Sequence, residues 1–405
     1  MTTASVEREA RRTAIILSAS QAVVGSAALI SVSLGALAGQ YLLGPDKSLA
    51  TAPVTAFNIG VAVGALPAAA VIRAVGQRSG FMAGCLVTAL GGAVATAALY
   101  AASFWFFAVG LLVIGIGGAF VQQYRFAAAD NAPSEFKARA ISFVLAGGLF
   151  TAILGPQIVI FTRELLAPVS FAGPFAAVIL LGFGGMIILV WLRLQPKPTT
   201  DNGGGVSVAD EGRPLADIIA QPGFIVALTC AVGSYALMSF VMTGAPLAMV
   251  GCGFSPDEAT LGISWHVMAM FAPSFFTGRL ISRFGKERIV TFGLVLLLGC
   301  AAVALSGIQL WQFWTSLVLL GLGWNFAFIG ATAMVADCYS HSEKSRVQGF
   351  HDFVLFGSVA LSSLLSGKVY NVWGWDMLNW VIFPVVAVCL VALGAHALRA
   401  RRVAA

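Results

Sequence analysis

His351 and Asp352 are neighbours in the chain, and His266 stands alone in the stretch SWHVMAMFAP. An ionisable group inside an apolar run is costly to place and can change charge in use, so these three are the candidates for carrying a proton. The other carboxylates lie at the ends of apolar runs, as Asp130, Asp337 and Asp376 do, or in short polar loops. The middles of the runs hold neutral groups instead: Gln21, Asn58, Gln122, Gln123, Gln157, Tyr235, Trp265, Trp324 and Asn325. Amides and rings set among aliphatic side chains are suited to orienting a neutral or zwitterionic organic solute. In LGLGWNFAF (320–328), glycines permit close helix approach while Trp324 and Asn325 put a ring beside an amide. The competing reading of each amide is an interhelical hydrogen bond, and of His266 a packed ring with one partner. Arg125, in VQQYRFAAAD (121–130), sits near a run's end, placed either to attract an anionic solute or to pair with Asp130.

Reactive motifs are missing. No GxxxxGKS or GxxxxGKT, GxSxG, HExxH or paired-cysteine pattern occurs, so neither direct ATP use nor enzyme chemistry is expected, and no cofactor or metal is implied. The six cysteines show no CxxC pairing and read as small packing residues. A membrane enzyme would need clustered ionisable groups, and His341, His351 and Asp337 are the nearest approach to one. A passive channel would need a polar stripe along single helices, and none is evident.

The elements that hold these residues are set by composition. Of 405 residues 59% are hydrophobic and 10% charged, with a mean hydropathy of +0.91, which defines a polytopic membrane protein surrounded by lipid. A spanning helix takes about 20 mostly apolar residues. The chain divides into twelve such runs, near 14–39, 52–73, 80–102, 104–126, 140–162, 170–192, 223–250, 259–279, 289–308, 311–336, 347–370 and 376–398. The first is too long for a signal peptide's apolar region and reads as a span. One connection is long: 193–222 mixes Pro, Gly, Asp and Arg and reads as a linker between six-helix halves, 1–192 and 223–405. The net charge of +6 comes from loop cations rather than a basic domain, which gives no support to nucleic-acid binding.

Twenty of the 23 Lys and Arg residues fall in the two termini or in alternate loops, the exceptions being Lys47, Arg163 and Lys368. That bias predicts both termini in the cytoplasm. The expected setting is a bacterial cytoplasmic (inner) membrane, with a monomer in the lipid bilayer. The cationic loops also repeat. ADNAPSEFKAR (129–139) and ADCYSHSEKSR (336–346) align Asp130 with Asp337, Lys137 with Lys344 and Arg139 with Arg346, all at an offset of 207. VIRAVGQRSGF (71–81) and ISRFGKERIVTF (281–292) likewise set a basic residue before a turning glycine, Gly76 or Gly285. Recurrence over half the chain predicts two parallel, pseudo-symmetric six-helix repeats.

GRLISRFGKER (278–288) resembles the loop signature of the major facilitator superfamily, G-x-L-x-D-R-x-G-R-R, through Gly278, Leu280, Arg283, Gly285 and Lys286. Ser282 stands at the usual Asp. In the first half Ala69 replaces the first Gly and Arg73 the Asp, leaving Gly76 and Arg78. The resemblance covers the whole chain and implies an all-α membrane protein of twelve transmembrane helices. It also implies secondary active or facilitative transport by alternating access. Gate contacts would then involve Arg78, Asp130, Arg139, Arg283, Lys286, Asp337 and Arg346, with Arg283 and Lys286 meeting carbonyls or carboxylates such as Asp130 and Asp337. ILGPQ (153–157) is similar to the Gly-Pro core of the superfamily's drug-antiporter signature, but the flanking glycines are out of register. QQYRFAAAD and GLGWNFAFIGATAM are similar to a group of bacterial members that includes riboflavin importers. Uptake of a flavin, with rings on Trp324, Trp265 or Tyr235, and proton-coupled efflux of a drug or metabolite are the two resulting expectations. Proton coupling through His266 or His351 and Asp352 stands open beside facilitated diffusion.

Overall fold

The computed structural model describes residues 3–133, 136–192, 213–340 and 343–404. Most of the expected linker, His341, and the Lys137 and Lys344 side chains lie outside the described residues. Fifteen helices are assigned: α1 (Thr3–Leu42), α2 (Ala52–Val75), α3 (Gln77–Tyr100), α4 (Phe104–Val121), α5 (Tyr124–Asp130), α6 (Lys137–Thr162), α7 (Ala172–Val190), α8 (Leu215–Ile219), α9 (Pro222–Gly251), α10 (Pro256–Phe271), α11 (Ser274–Phe284), α12 (Lys286–Leu305), α13 (Leu310–Ala336), α14 (Lys344–Trp380) and α15 (Ile382–Ala404). No strand occurs among the described residues. Ten of the described helical stretches are long and apolar enough to cross a membrane, or eleven if the bent pair α10 and α11 is one span. The difference from the expected twelve lies at the C-terminal end. There 346–399 is one stretch of 54 residues, interrupted in backbone geometry at Gly374 (φ 79°, ψ −172°). Large apolar side chains such as Leu66, Phe161 and Phe353 are exposed on the outside, as lipid permits.

Two spans are broken, one where a pair of glutamines interrupts the apolar pattern and one at a proline. α4 gives way to α5 at Gln122 and Gln123, and the α10–α11 pair bends by 42° around Ala272 and Pro273. Proline lacks the N–H that would continue the ladder, so the bend frees backbone carbonyls that need other donors. Asn325 of α13 supplies one, its Nδ2 donating to the Met270 carbonyl at 2.6 Å.

The repeated loops have repeated conformations. Gly76, between α2 and α3, has φ 85° and ψ 159°, and Gly285, between α11 and α12, has φ 89° and ψ 154°. Only glycine enters that region without strain. The residue after each glycine then ties its helix to the end of another. Gln77 Oε1 accepts from Asn131 Nδ2 at 3.0 Å, while the Lys286 ammonium meets the Asp337 carboxylate and the Ala333 carbonyl.

Packing distinguishes the two ends of the bundle, which we call the α1–α2 end and the α2–α3 end after the turns they contain. One buried cluster is built from α8 to α10 and α12 to α15 with Leu29 of α1. Another belongs to α1 and α3 to α7. A third, toward the α1–α2 end, mixes early helices with Leu247, Val250 and Tyr370. Polar ties between α1–α7 and α9–α15 also gather toward that end. Thr51 donates to the Leu364 carbonyl at 3.3 Å, Arg163 pairs with Asp257 at 3.0 Å, and Ser264 donates to the Ala152 carbonyl. Gly367 packs there on Thr51, where an added Cβ would lie 2.5 Å from Oγ1 and 2.8 Å from Cγ2.

Candidate functional site

A cavity of about 230 Å³ lies between the two helix sets. From α1 it takes Gln21, Gly25, Ala28 and Val32, spaced to share one helical face. Tyr235, Met238 and Met242 form a similar stripe on α9, and Ile263, Val267, Met270 and Phe271 one on α10. Asn58 and Phe57 enter from α2, Thr88 from α3, Gln122 from the α4–α5 break, Thr151 from α6 and Phe356 from α14. The wall is therefore mostly aliphatic and aromatic with a few convergent polar groups, the usual make-up of an organic-ligand site.

The polar groups are not equally available. Thr151 is engaged, its hydroxyl within hydrogen-bond distance of the Gln21 and Gly147 carbonyls. The side-chain amides of Gln21, Asn58 and Gln122 have no hydrogen-bond partner among the described residues. Three uncommitted amides facing one cavity favour a solute that can both donate and accept hydrogen bonds. Tyr235 adds a ring that is backed by others: it stacks with Phe328 (5.0 Å between centroids, 21°) and lies 5.3 Å from Trp324, itself stacked on Phe328 at 5.1 Å. Offset rings of this kind hold one another in place, which fixes the face shown to the cavity.

Several other expected site residues lie elsewhere. Asn325 is fully buried and fully used: beside Met270 it donates to Ser274 Oγ at 2.7 Å and accepts from Thr277 Oγ1 at 2.7 Å. It fastens the bend between α10 and α11 and has nothing left for a solute. Trp324, 7% exposed, supports Tyr235 from behind the lining rather than within it. His266 is buried between α10 and α13, with Nδ1 2.8 Å from the Leu317 carbonyl, and does not line the cavity. Trp265 is exposed and outside the lining, and so is Gln157, on a face with exposed Phe150, Leu154 and Phe161. Gln123 is half-buried beside Gln122 and does not line it either. Sequence reasoning missed Thr88, Thr151, the methionines and the phenylalanines, since such residues look ordinary in an apolar run. The 235, 238, 242 spacing on α9 was the signal available.

At the α2–α3 end, Arg125 is exposed and its guanidinium carbon lies 4.8 Å from the Phe126 ring centroid. It is within electrostatic reach of Tyr235 and of Asp352 on α14. Asp352, 59% exposed, accepts from or pairs with His351 Nδ1 at 3.0 Å. The expected gate residues form fewer cross-links than anticipated. Asp337 meets Lys286, whereas Arg283 lies over Phe284 of its own helix at 5.3 Å. Arg78, Asp130 and Arg139 are exposed, and Arg346 reaches the Arg213 carbonyl at 3.5 Å. A tie the sequence did not signal joins Arg213 to Glu343: Nε to Oε1 and Nη2 to Oε2, both at 2.9 Å, while the Arg213 and Ser340 backbone N–H groups also donate to this carboxylate. That set of donors, the Arg213 guanidinium first, holds the Glu343 carboxyl well below the usual carboxylate range.

A bundle of membrane-spanning helices in two sets, closed at one end over a polar-dotted cavity, defines a solute carrier. The profile of the Major Facilitator Superfamily matches residues 14–272 and 227–404. The chain is 50% identical over 384 residues to the riboflavin transporter RfnT of Brucella anthropi, covering 95% of each chain. It is 31% identical over 371 residues to the uncharacterized MFS-type transporter YdeG of Bacillus subtilis, covering 89% of this chain and 86% of that one. Among solved structures, the POT family transporter PepTSo aligns with a TM-score of 0.68 at 14% identity, over 96% of this chain and 98% of its own. The nucleoside transporter NupG aligns at 0.67 and 13%, over 94% and 99%; both share the fold. The chain belongs to the Major Facilitator Superfamily. It is a multi-pass membrane transporter of a small solute, similar to riboflavin importers, and not an enzyme.

Proposed function

We propose that this protein imports riboflavin by alternating access between two six-helix halves. The observation that carries the substrate is the 50% identity, across nearly the whole of both chains, to a protein named a riboflavin transporter. The cavity is chemically suited to it. A flavin has a flat ring for Tyr235 and a polar edge of carbonyls and N–H groups for the free amides of Gln21, Asn58 and Gln122. The volume of about 230 Å³ is below the roughly 300–1,000 Å³ of sites that bury drug-sized ligands. The ring would therefore fill the space and the polyol chain extend toward the α2–α3 end.

Halves at 1–192 and 223–405 follow from reading 346–399 as two spans and α10 with α11 as one, giving twelve. A helix of 54 residues would be about 80 Å long, more than twice the roughly 30 Å hydrocarbon core. The cation bias supports placing the α2–α3 end and both termini in the cytoplasm, and the bacterial relatives support an inner membrane as the setting. The ties toward the α1–α2 end then close the outer side, and the cavity communicates inward. Closure of the inner side would bring Arg125 against Asp352, since a cation within the bundle is better satisfied by a carboxylate than by a ring. The His351–Asp352 pair, being near that mouth, supports proton coupling better than the sequestered His266 does. We read the transporter as a monomer, with Lys286–Asp337 and the other loop charges setting how the inner loops pack.

Uptake of labelled riboflavin into proteoliposomes, with and without an imposed proton gradient, tests this. Saturable uptake displaced by unlabelled riboflavin is expected. Uptake no greater than in empty liposomes, with a correctly folded protein, rejects the substrate. Extrusion from preloaded vesicles against a proton gradient would favour efflux instead.

A further inference from the structure

We propose that the flank of α1 and the end of α7 form a binding site for an anionic phospholipid. Arg8, Arg11, Arg12, Ile15, Ile16 and Trp191 line a surface cavity of about 450 Å³ at the α2–α3 end, and it shares no residue with the central cavity. Positions 8, 11, 12, 15 and 16 fall on one helical face. They are ordered along it: cations for the first turn, then isoleucines about 6 Å further into the bundle. A phospholipid has the same order, with an anionic headgroup followed at once by hydrocarbon. Trp191 follows α7 as its C-cap and is 59% exposed, the position and exposure of a ring at the headgroup level.

Charge selects the headgroup. Arg11 and Arg12 are exposed, and among the described residues neither has a carboxylate within ion-pair distance. Glu7 and Glu9 are exposed on the same helix and flank the stripe on either side, leaving its three arginines in excess of the two carboxylates. A zwitterionic lipid would bring its own cation to this place, whereas phosphatidylglycerol brings only negative charge. The positive-inside bias accounts for the end at which these arginines lie. It does not account for their forming one cavity with two isoleucines and a tryptophan of another helix.

Native mass spectrometry of the purified full-length protein, titrated with phosphatidylglycerol or phosphatidylcholine of identical chains, tests the site. Wild type should retain phosphatidylglycerol preferentially. The Arg11→Gln, Arg12→Gln double variant should weaken that retention about tenfold or more, the scale of losing two cations near a membrane surface. Equal retention of the two lipids by wild type, or undiminished phosphatidylglycerol binding by the variant, overturns the proposal. Because the same arginines are expected to bias insertion, a second measurement leaves them intact. Phosphatidylglycerol with brominated chains should quench wild-type tryptophan fluorescence more than that of Trp191→Phe; equal quenching means that no acyl chain lies against Trp191 and also overturns it.

Discussion

Gln122 and Asn325 are both amides in apolar surroundings, one at the break between α4 and α5 and the other facing the break between α10 and α11. Gln122 stays free and opens into the cavity, whereas every polar atom of the Asn325 side chain is engaged. Their variants should fail in different ways. Gln122→Leu or Asn58→Leu should raise the KM for riboflavin by about tenfold, with folded yield unchanged, because a polar edge of the solute is left without a partner. An unaltered KM would remove that amide from the site. Asn325→Ala should instead lower the Tm in detergent and leave the KM of the surviving protein near wild type, since it orphans the Met270 carbonyl at about 1–3 kcal/mol and takes one partner each from the Ser274 and Thr277 hydroxyls, the latter keeping the Pro273 carbonyl. A KM effect without a stability effect would return Asn325 to the solute. The polar residue types of the site were legible in the sequence, but their partners were not. Asn325 satisfies a bend 55 residues away, and no local pattern states which amide has already been spent.

The elements show the same division between what spacing reveals and what it hides. The echo between the two loop regions predicted recurrence, and Gly76 and Gly285 have nearly equal backbone angles. The ties that follow them differ in chemistry, Gln77–Asn131 against Lys286–Asp337, so a motif degraded in its letters still keeps its reach. Ten of the expected twelve spans were legible as apolar length, or eleven with the bent α10–α11 pair, while the remaining difference turns on the interruption of helical geometry at Gly374 within 346–399. Arg213 and Glu343 are 130 residues apart, and nothing in either neighbourhood announces the other. Glu343 has a pKa depressed by its donors, from an unfolded value near 4.3. Its contribution to stability is therefore complete above that unfolded value and is lost as pH falls through the lower folded one. Glu343→Gln should lower the Tm in detergent at pH 6 to 8, and the gap to wild type should narrow on strong acidification. A gap that is constant with pH would mean that the Arg213 tie is not electrostatic.

The whole molecule joins its two helix sets toward the α1–α2 end and, among the described residues, makes no ion pair between Arg125 and Asp352 at the other, so the proposed alternating access requires the first set of contacts to break as the second forms. If Arg125 and Asp352 meet in the alternate state, Arg125→Asp and Asp352→Arg should each reduce uptake severely and the exchanged pair should recover part of it. No recovery would mean that the two charges act separately. The opposite end offers the sharper test, because there the contact is already made. Gly367 lies so close to Thr51 that a single added carbon would overlap its side chain, and overpacking of this kind costs about 1–3 kcal/mol. On the proposed orientation the closed outer end would lose that much relative to the open one, a shift of about fivefold or more in their ratio. A cysteine at position 21, in a background stripped of the six native thiols, should therefore react faster with an impermeant thiol reagent from outside in Gly367→Ala than in the parent. Thr51→Ala, which removes the two nearest atoms, should reverse the effect when combined with it. Reversal would localise the cause to this contact rather than to general loosening of α14. Equal labelling in all three proteins would mean that the outer end is not held shut where α2 meets α14.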